Sequence, residues 1–498
     1  MSKEYDILIA GSGFAGSLAA LILHSKGFQV CLVEKGEHPR FAIGESSTPI
    51  ANMLLRDLAA EYGLDWLADF SKYGSWQRTH PEVVCGLKRG FSYFKHYPEK
   101  PFSTDEDHSD ELLVAASIND ERSDTNWLRA DFDAFLVGKV QEIGIDYFDH
   151  TDIQSAAREN GKWQMRTSRL EEARHLEAKF FIDATGGDVL LKNFFSVSSS
   201  SESFLTNSFA VFSHFDHLRK WSDMLAEKNI STAGYPYNPD NSALHHLLDE
   251  GWVWVLRFNN AVTSWGFALD GSDKLLSERS SEEIWDSMMA KYPDIQHILK
   301  DARHAAIPGK TLRFGRLQRK ADKCFGDGWL ALPHTAGFVD PLFSSGIAHS
   351  LIGLEKICRL FYEHFDDQEK LYAELQKYEY AVFDELKLID MLVAGCYKTM
   401  PYFGLFRSWS MLYFTCTITY EKRRLQKLPV DHFLCAGEEA VKAIVTETYQ
   451  DLMDILARPV ISGADIEAFT NRVRERIQPF NTVGLLDPAA KNMYWHYE

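Results

Sequence analysis

Apolar positions in the first part of the chain fall in short unbroken runs, not in alternation. Ile7-Leu8-Ile9-Ala10 and Val30-Cys31-Leu32-Val33 suit strands buried on both faces. Between them, Ser17 to Lys26 repeats at helical spacing and stops at Gly27, a helix-ending residue. This predicts a compact βαβ unit. Similar runs recur far downstream at Lys179-Phe180-Phe181-Ile182-Asp183 and Gly328-Trp329-Leu330-Ala331-Leu332, each followed by a turn with Gly or Pro. A doubly wound sheet gathers strands from distant parts of a chain in this way. From about 195 to 320 the pattern changes. Ser208-Phe209-Ala210-Val211-Phe212, Trp252-Val253-Trp254-Val255-Leu256 and Ser264-Trp265-Gly266-Phe267-Ala268 predict an inserted antiparallel sheet. From about 347 onward the spacing is largely helical. No internal repeat or low-complexity linker separates these regions, so interleaved domains are expected.

Composition narrows the partners. The chain has 498 residues, 53 Lys plus Arg and 71 Asp plus Glu, for a formal charge of −18. That length exceeds what one core usually supports. An acidic surface disfavours nucleic acid and anionic membranes, which need a basic face. Cys31, Cys85, Cys324, Cys358, Cys396, Cys416 and Cys435 are odd in number and scattered, without a C-x-x-C pair. Neither a metal site nor a disulfide framework is indicated, and reduced thiols in a cytosol fit. Met1 to Asp6 opens no signal-peptide pattern, and no apolar run is long enough for a membrane span. A cytoplasmic protein is expected, with a homo-oligomer left open. Aromatics reach 13% of the chain. That excess suits a bulky core or a pocket for flat conjugated ligands. The segment from Leu392 to Tyr420, rich in aromatics and poor in charge, could roof such a pocket, form a buried helix pair or make an oligomer contact.

The turn after the first strand carries the first chemistry. Gly11-Ser12-Gly13-Phe14-Ala15-Gly16 opens a helix, and Glu34 closes the next strand. Gly11 permits a tight turn, Gly13 admits a pyrophosphate to the backbone, and Gly16 brings helix and strand together. Ala15 lies in the same turn, the helix N-terminus favours phosphate, and Glu34 suits ribose hydroxyls. NAD and FAD both fit this unit. Three later segments favour FAD. Arg129-Ala130-Asp131-Phe132-Asp133 resembles the Arg-x-x-Phe-Asp segment of FAD-dependent aromatic hydroxylases and their relatives. Phe181-Ile182-Asp183-Ala184-Thr185-Gly186-Gly187 resembles their D-A-T/D-G turn, and Gly337-Phe338-Val339-Asp340-Pro341 the turn that carries the flavin. One departure stands out: Pro333-His334 replaces the usual G-D pair, whose carboxylate holds the ribitol. Either Asp340 compensates, or FAD binds loosely, as would suit a cofactor that arrives reduced.

Across residues 1 to about 360 the chain resembles flavin-dependent halogenases, especially those acting on free phenols. The resemblance rests on Gly44-Glu45-Ser46-Ser47-Thr48-Pro49, Cys85-Gly86-Leu87-Lys88-Arg89-Gly90-Phe91, Gly251-Trp252-Val253-Trp254-Val255-Leu256 and Pro341-Leu342-Phe343-Ser344-Ser345-Gly346-Ile347. These are similar to the family's G-E-x-x-x-P, K-x-G, W-x-W-x-I-P and halide-turn segments. The W-x-W-x-I-P match departs at its last two positions, Leu256 and Arg257. The resemblance implies an α/β fold: a Rossmann-type FAD-binding domain, an inserted antiparallel substrate sheet and a helical C-terminal region. The expected divisions are 1–195, with part of the substrate sheet near 80–125, then 196–320, 321–365 and 366–498.

It also implies the reaction. Reduced FAD and O2 give a C4a-hydroperoxide that a halide attacks, yielding hypohalous acid. Backbone amides of Ser345 and Gly346 would bind chloride, bromide or iodide. Gly44, Glu45, Ser46, Arg129, Asp340 and Ile347 would join the cofactor cradle. Lys88 would hold and direct the hypohalous acid, and Trp252 and Trp254 would wall the channel. Phe343 occupies the place where tryptophan halogenases carry a glutamate that orients the indole, so a phenolic or similar small aromatic substrate is expected. Since a single dinucleotide fingerprint is present, a separate flavin reductase would supply the reduced FAD. The competing readings are an FAD-dependent aromatic monooxygenase and a flavin-dependent reductase on the same scaffold.

Overall fold

The computed structural model describes residues 3–496. Glu4–Ala10 runs between Glu172–Asp183 and Val30–Val33, parallel to both. Trp329–Ala331 extends the sheet on one side and Asp146–Phe148 on the other, again in parallel. The unbroken apolar runs follow from this: Ile7, Leu8 and Ile9 are wholly buried because helices cover the sheet. Helix Phe14–Ser25 packs on helices Arg129–Glu142 and Ser345–His364. A hairpin absent from the sequence expectation, Thr151–Glu159 with Lys162–Arg169, runs antiparallel into the long strand Glu172–Asp183. Much of it is exposed, so little apolar signal betrays it.

The second sheet has the order 303–304, 208–216, 263–270, 251–257, 243–247, 90–95, 111–115, 493–494, with 312–314 added on 208–216. It is mainly antiparallel, but Ala243–Leu247 pairs in parallel with Gly90–Lys95, and Met493–Tyr494 with Glu111–Ala115. Period-two alternation divides two cores across this sheet. Trp252, Trp254 and Leu256 enter the core shared with the first sheet, whereas Val253 and Val255 enter a separate one.

The C-terminal region is built from helices Gln368–Thr399, Phe403–Leu425, Glu439–Leu456 and Gly463–Ile477. Its last strand returns to the second sheet, so it is not wholly helical. The first two helices lock together where the Trp409 ring lies over Gly395; a methyl there would sit 2.1 Å from the indole. Trp409 Nε1 donates to the Leu392 carbonyl at 2.7 Å. Among the described residues no helix is long and apolar enough to cross a membrane.

Candidate active site

The glycine turn lies at the carboxyl ends of the parallel strands, where open α/β sheets bind ligands. Gly11 has φ +99°, and a Cβ there would stand 2.7 Å from the Ala184 carbonyl oxygen. A Cβ on Gly16 would lie 1.9 Å from the Gly11 carbonyl oxygen. Gly13 caps helix Phe14–Ser25 without a side-chain hydrogen bond, and Ala15 sits in its first turn. The Glu34 carboxylate accepts from the Ser12 amide at 3.0 Å, the Ser12 hydroxyl at 2.9 Å and the Gly36 amide at 2.9 Å. Burial raises its carboxyl, but Arg40 and these donors outweigh that and hold it below the usual range.

Arg129 ties the cradle together. Its guanidinium grips both oxygens of Asp133 at 2.9 and 2.7 Å and donates to the carbonyls of Ile43 and Gly44 at 3.1 and 3.0 Å. A Cβ on Gly13 would lie 3.4 Å from its Nη2. Glu45 is buried and meets His214 at 2.7 Å through one oxygen. Its other oxygen, the hydroxyls of Ser46 and Thr48, and the Asn126 amide are buried without a protein partner. Such a cluster of unmet polar atoms beside the glycine turn suits a large polar ligand, and FAD fits it.

Lys88 lies next to that cluster. It is completely buried at the end of strand Cys85–Lys88. Its ammonium donates to the Ser47 carbonyl and lies 4.1 Å from the Phe91 ring centroid. Burial pulls the group down to about 7, against the upward pull of the Asp124 carboxylate. Around it the second sheet and the C-terminal helices supply flat side chains. His245 stacks on Tyr93 at 4.6 Å, Trp252 lies 5.2 Å from His245, and Phe414 meets Phe91 at 5.6 Å. Trp252 and Trp254 share a face with ring centroids 5.9 Å apart. The aromatic segment around 392–420 is thus a buried helix pair whose inner face packs on these rings.

The turn at 341–347 is clamped from outside. Phe343 stacks on Tyr413 at 4.0 Å, and the Tyr413 hydroxyl donates to the Phe343 carbonyl at 2.8 Å. Ser344 takes φ +53° and caps helix Ser345–His364. Ser345 and Gly346 are that helix's first residues, followed by Ile347, and the first amides of a helix lack intrahelical acceptors. Asp340 points inward: it accepts from Ser208 at 2.6 Å, Tyr397 at 2.9 Å and the Leu342 amide at 3.0 Å. These three donors use three of the roughly four acceptor sites of a carboxylate. Tyr397 in turn accepts from Trp252 Nε1 at 3.1 Å, which joins the turn to the tryptophan wall.

The two departures from the family pattern find structural explanations. Arg257 faces away from Lys88, bonding Asp240 at 2.7 Å and the carbonyls of Leu218 and Arg219. His334 lies against Gly186 and Phe338. Burial, with Arg319 and Arg129 nearby, pulls it down to about 3, so it is neutral near pH 7 and offers no carboxylate. Sequence reasoning placed Tyr397 and Tyr413 only within the aromatic segment 392–420, and it gave no site role to Ser208, His245 or the group around Asp124. Asp124 accepts from the Asn52 amide and faces Lys72 Nζ at 3.7 Å.

Comparison with known proteins agrees with this geometry. Residues 9–82 match the NAD(P)-binding Rossmann-like domain, and residues 127–401, more than half of the chain, match the tryptophan halogenase family. Monodechloroaminopyrrolnitrin halogenase PrnC of Pseudomonas fluorescens is 26% identical over 85% of this chain and 73% of its own length. Tetracycline 7-halogenase of Kitasatospora aureofaciens is 24% identical over 86% of this chain and 76% of its own. The crystal structure of halogenase PltM shares the fold with a TM-score of 0.88 at 23% identity, covering 98% of this chain and 99% of its own. PltM in complex with phloroglucinol and FAD superposes with a TM-score of 0.85 at 22% identity, with the same coverage. The chain belongs to the tryptophan halogenase family and is a flavin-dependent halogenase.

Proposed function

We propose that this halogenase acts on a small free phenol, with FAD reduced by a separate flavin reductase and with Lys88 directing the halogen. The observation that carries the reading is a fully buried lysine, poised near neutrality, between the cofactor cradle and a cluster of aromatic side chains. Bound reduced FAD, with O2, supplies the oxidising equivalent that converts halide to hypohalous acid. Ser345 and Gly346 hold the halide with main-chain amides, which add no competing negative charge. Lys88 donates a hydrogen bond to the oxygen of the hypohalous acid. As the O–X bond breaks, a ring carbon bonds the halogen and gives up its proton, and the oxygen leaves as water. Trp252 and Trp254 keep the ring from the cofactor.

The Phe343 ring accepts no hydrogen bond from an indole N–H, so the substrate is not free tryptophan. Phloroglucinol, the phenol bound in the PltM complex, is the natural first probe. In this reading 1–195 and 321–365 hold the cofactor, 196–320 and the strands near 80–125 wall the ring, and 366–498 closes over it.

The test supplies reduced FAD through a flavin reductase, with bromide and phloroglucinol or related phenols, and weighs the products. Bromine isotope doublets are expected. A gain of one oxygen that ignores bromide would instead support a monooxygenase. Lys88→Ala is expected to lower bromination by about 10²-fold or more, with oxidising equivalents released as peroxide. Bromination at the wild-type rate in that variant would remove Lys88 from the mechanism.

A further inference from the structure

We propose that Asp124 is the positioning carboxylate of Lys88, keeping it charged and aimed at the segment 45–48. This rests on the role given to Lys88 above. Strand Cys85–Lys88 pairs antiparallel with Asp124–Trp127, and Lys88 stands directly opposite Asp124. Directly opposed residues of such a pair project to the same face. Both side chains are wholly buried. One Asp124 oxygen takes the Asn52 amide and faces Lys72; the other has no protein partner. Lys88 uses one of its three donors on the Ser47 carbonyl.

No direct ion pair joins the two groups among the described residues, so each acts on the other across the strand pair. An isolated ammonium in so dry a place surrenders its proton, and an isolated carboxylate takes one up. Burial drags Lys88 down while Asp124 pulls it back up. Burial likewise raises Asp124, and Lys72 and Lys88 oppose that rise. The remaining titratable groups facing the pair are Glu421 and Tyr413 on helix Phe403–Leu425 and His245 on strand Ala243–Leu247. Burial holds His245 near 3, so it stays neutral. Lys72 is partly exposed and joins the pair to solvent. This arrangement keeps Lys88 able to give a hydrogen bond to hypohalous acid.

The deciding measurement needs no substrate. In FAD-loaded protein carrying ε-13C lysine, the Lys88 resonance is assigned by its loss in Lys88→Ala and titrated with pH. In Asp124→Asn the lysine is expected to lose its proton about one pH unit lower than in the wild type. The alkaline limb of phloroglucinol bromination should move by a similar amount, and Asp124→Glu should restore both. If the Asn variant does not fold, as judged by near-UV circular dichroism, the smaller Asp124→Ser takes its place with the same expectation. An unchanged Lys88 titration in the folded variant overturns the proposal. A shifted titration alongside wild-type bromination by Lys88→Ala would instead overturn the role of Lys88 itself, so the two failures are distinguishable.

Discussion

Two helix starts border the candidate site, and they are held in different ways. Helix Phe14–Ser25 begins at Gly13 with extended backbone, and its turn is fixed by its own glycines: a Cβ on Gly16 would lie 1.9 Å from the Gly11 carbonyl oxygen. Helix Ser345–His364 begins at Ser344 in the left-handed region, a conformation costing about 1–2 kcal/mol for a residue with a side chain. Within that turn the Ser344 amide donates to the Pro341 carbonyl at 2.9 Å and the Leu342 amide to Asp340 at 3.0 Å. Ser208, Tyr397 and Tyr413 brace it from distant parts of the chain. A Cβ on Gly346 would meet no atom within 4 Å. The first turn is set by steric contact within one βαβ unit. The second is held by hydrogen bonds, its own and those of distant side chains, and leaves room at its mouth.

The comparison breaks most visibly at Gly16. Gly16→Ala forces helix and strand apart and is expected to cost about 3 kcal/mol or more, with FAD binding lost. Urea unfolding and quenching of flavin fluorescence measure both. Wild-type affinity in this variant would mean that the close approach does not shape the cradle.

Asp340 tests the second turn through pH. Burial pushes its carboxyl up to about 6, although Ser208, Tyr397 and the Leu342 amide pull it down. The folded chain therefore keeps a proton that the unfolded chain releases above about pH 4. The associated stability is complete below pH 4 and is lost as pH rises through 6. Asp340→Asn cannot titrate, so relative to the wild type it should gain as pH rises across this window, by about 3 kcal/mol at most. Urea unfolding from pH 4 to 7 measures the difference. Parallel curves would mean that Asp340 is charged throughout.

The same contrast explains what the sequence disclosed. The cradle was legible because Gly11, Gly13, Gly16 and Glu34 lie within one local unit, and the spacing of glycines is itself the steric requirement. Trp252 and Trp254 could be placed on one face because period two is a property of the strand. Asp124 was not legible. It opens Asp124–Trp127, a strand buried at every position although three of its four residues are polar, which reads as a loop. Its partners Asn52, Lys72 and Lys88 are distant in sequence, so only tertiary pairing reveals why polar residues are buried there. Such local violations of patterning concentrate at functional sites. The hairpin at 151–169 was hidden for the opposite reason: its exposure leaves too few apolar positions to mark two strands.

Gly346 gives the smallest change in stability and the sharpest distinction between the two turns. Its φ is not in the left-handed region, and an added methyl would enter open space. Alanine also favours helix over glycine by about 1 kcal/mol at interior positions, and by less in the first turn. Gly346→Ala should therefore leave unfolding within about 0.5 kcal/mol of the wild type. If the open space beside its amide is where a halide sits, the methyl crowds the ion without removing the donor. The expected result is a several-fold rise in the KM for bromide, with FAD affinity unchanged. A drop in stability like that of Gly16→Ala would show that the second turn is also held by its glycine. Unchanged stability together with an unchanged bromide KM would place the halide elsewhere than at Gly346.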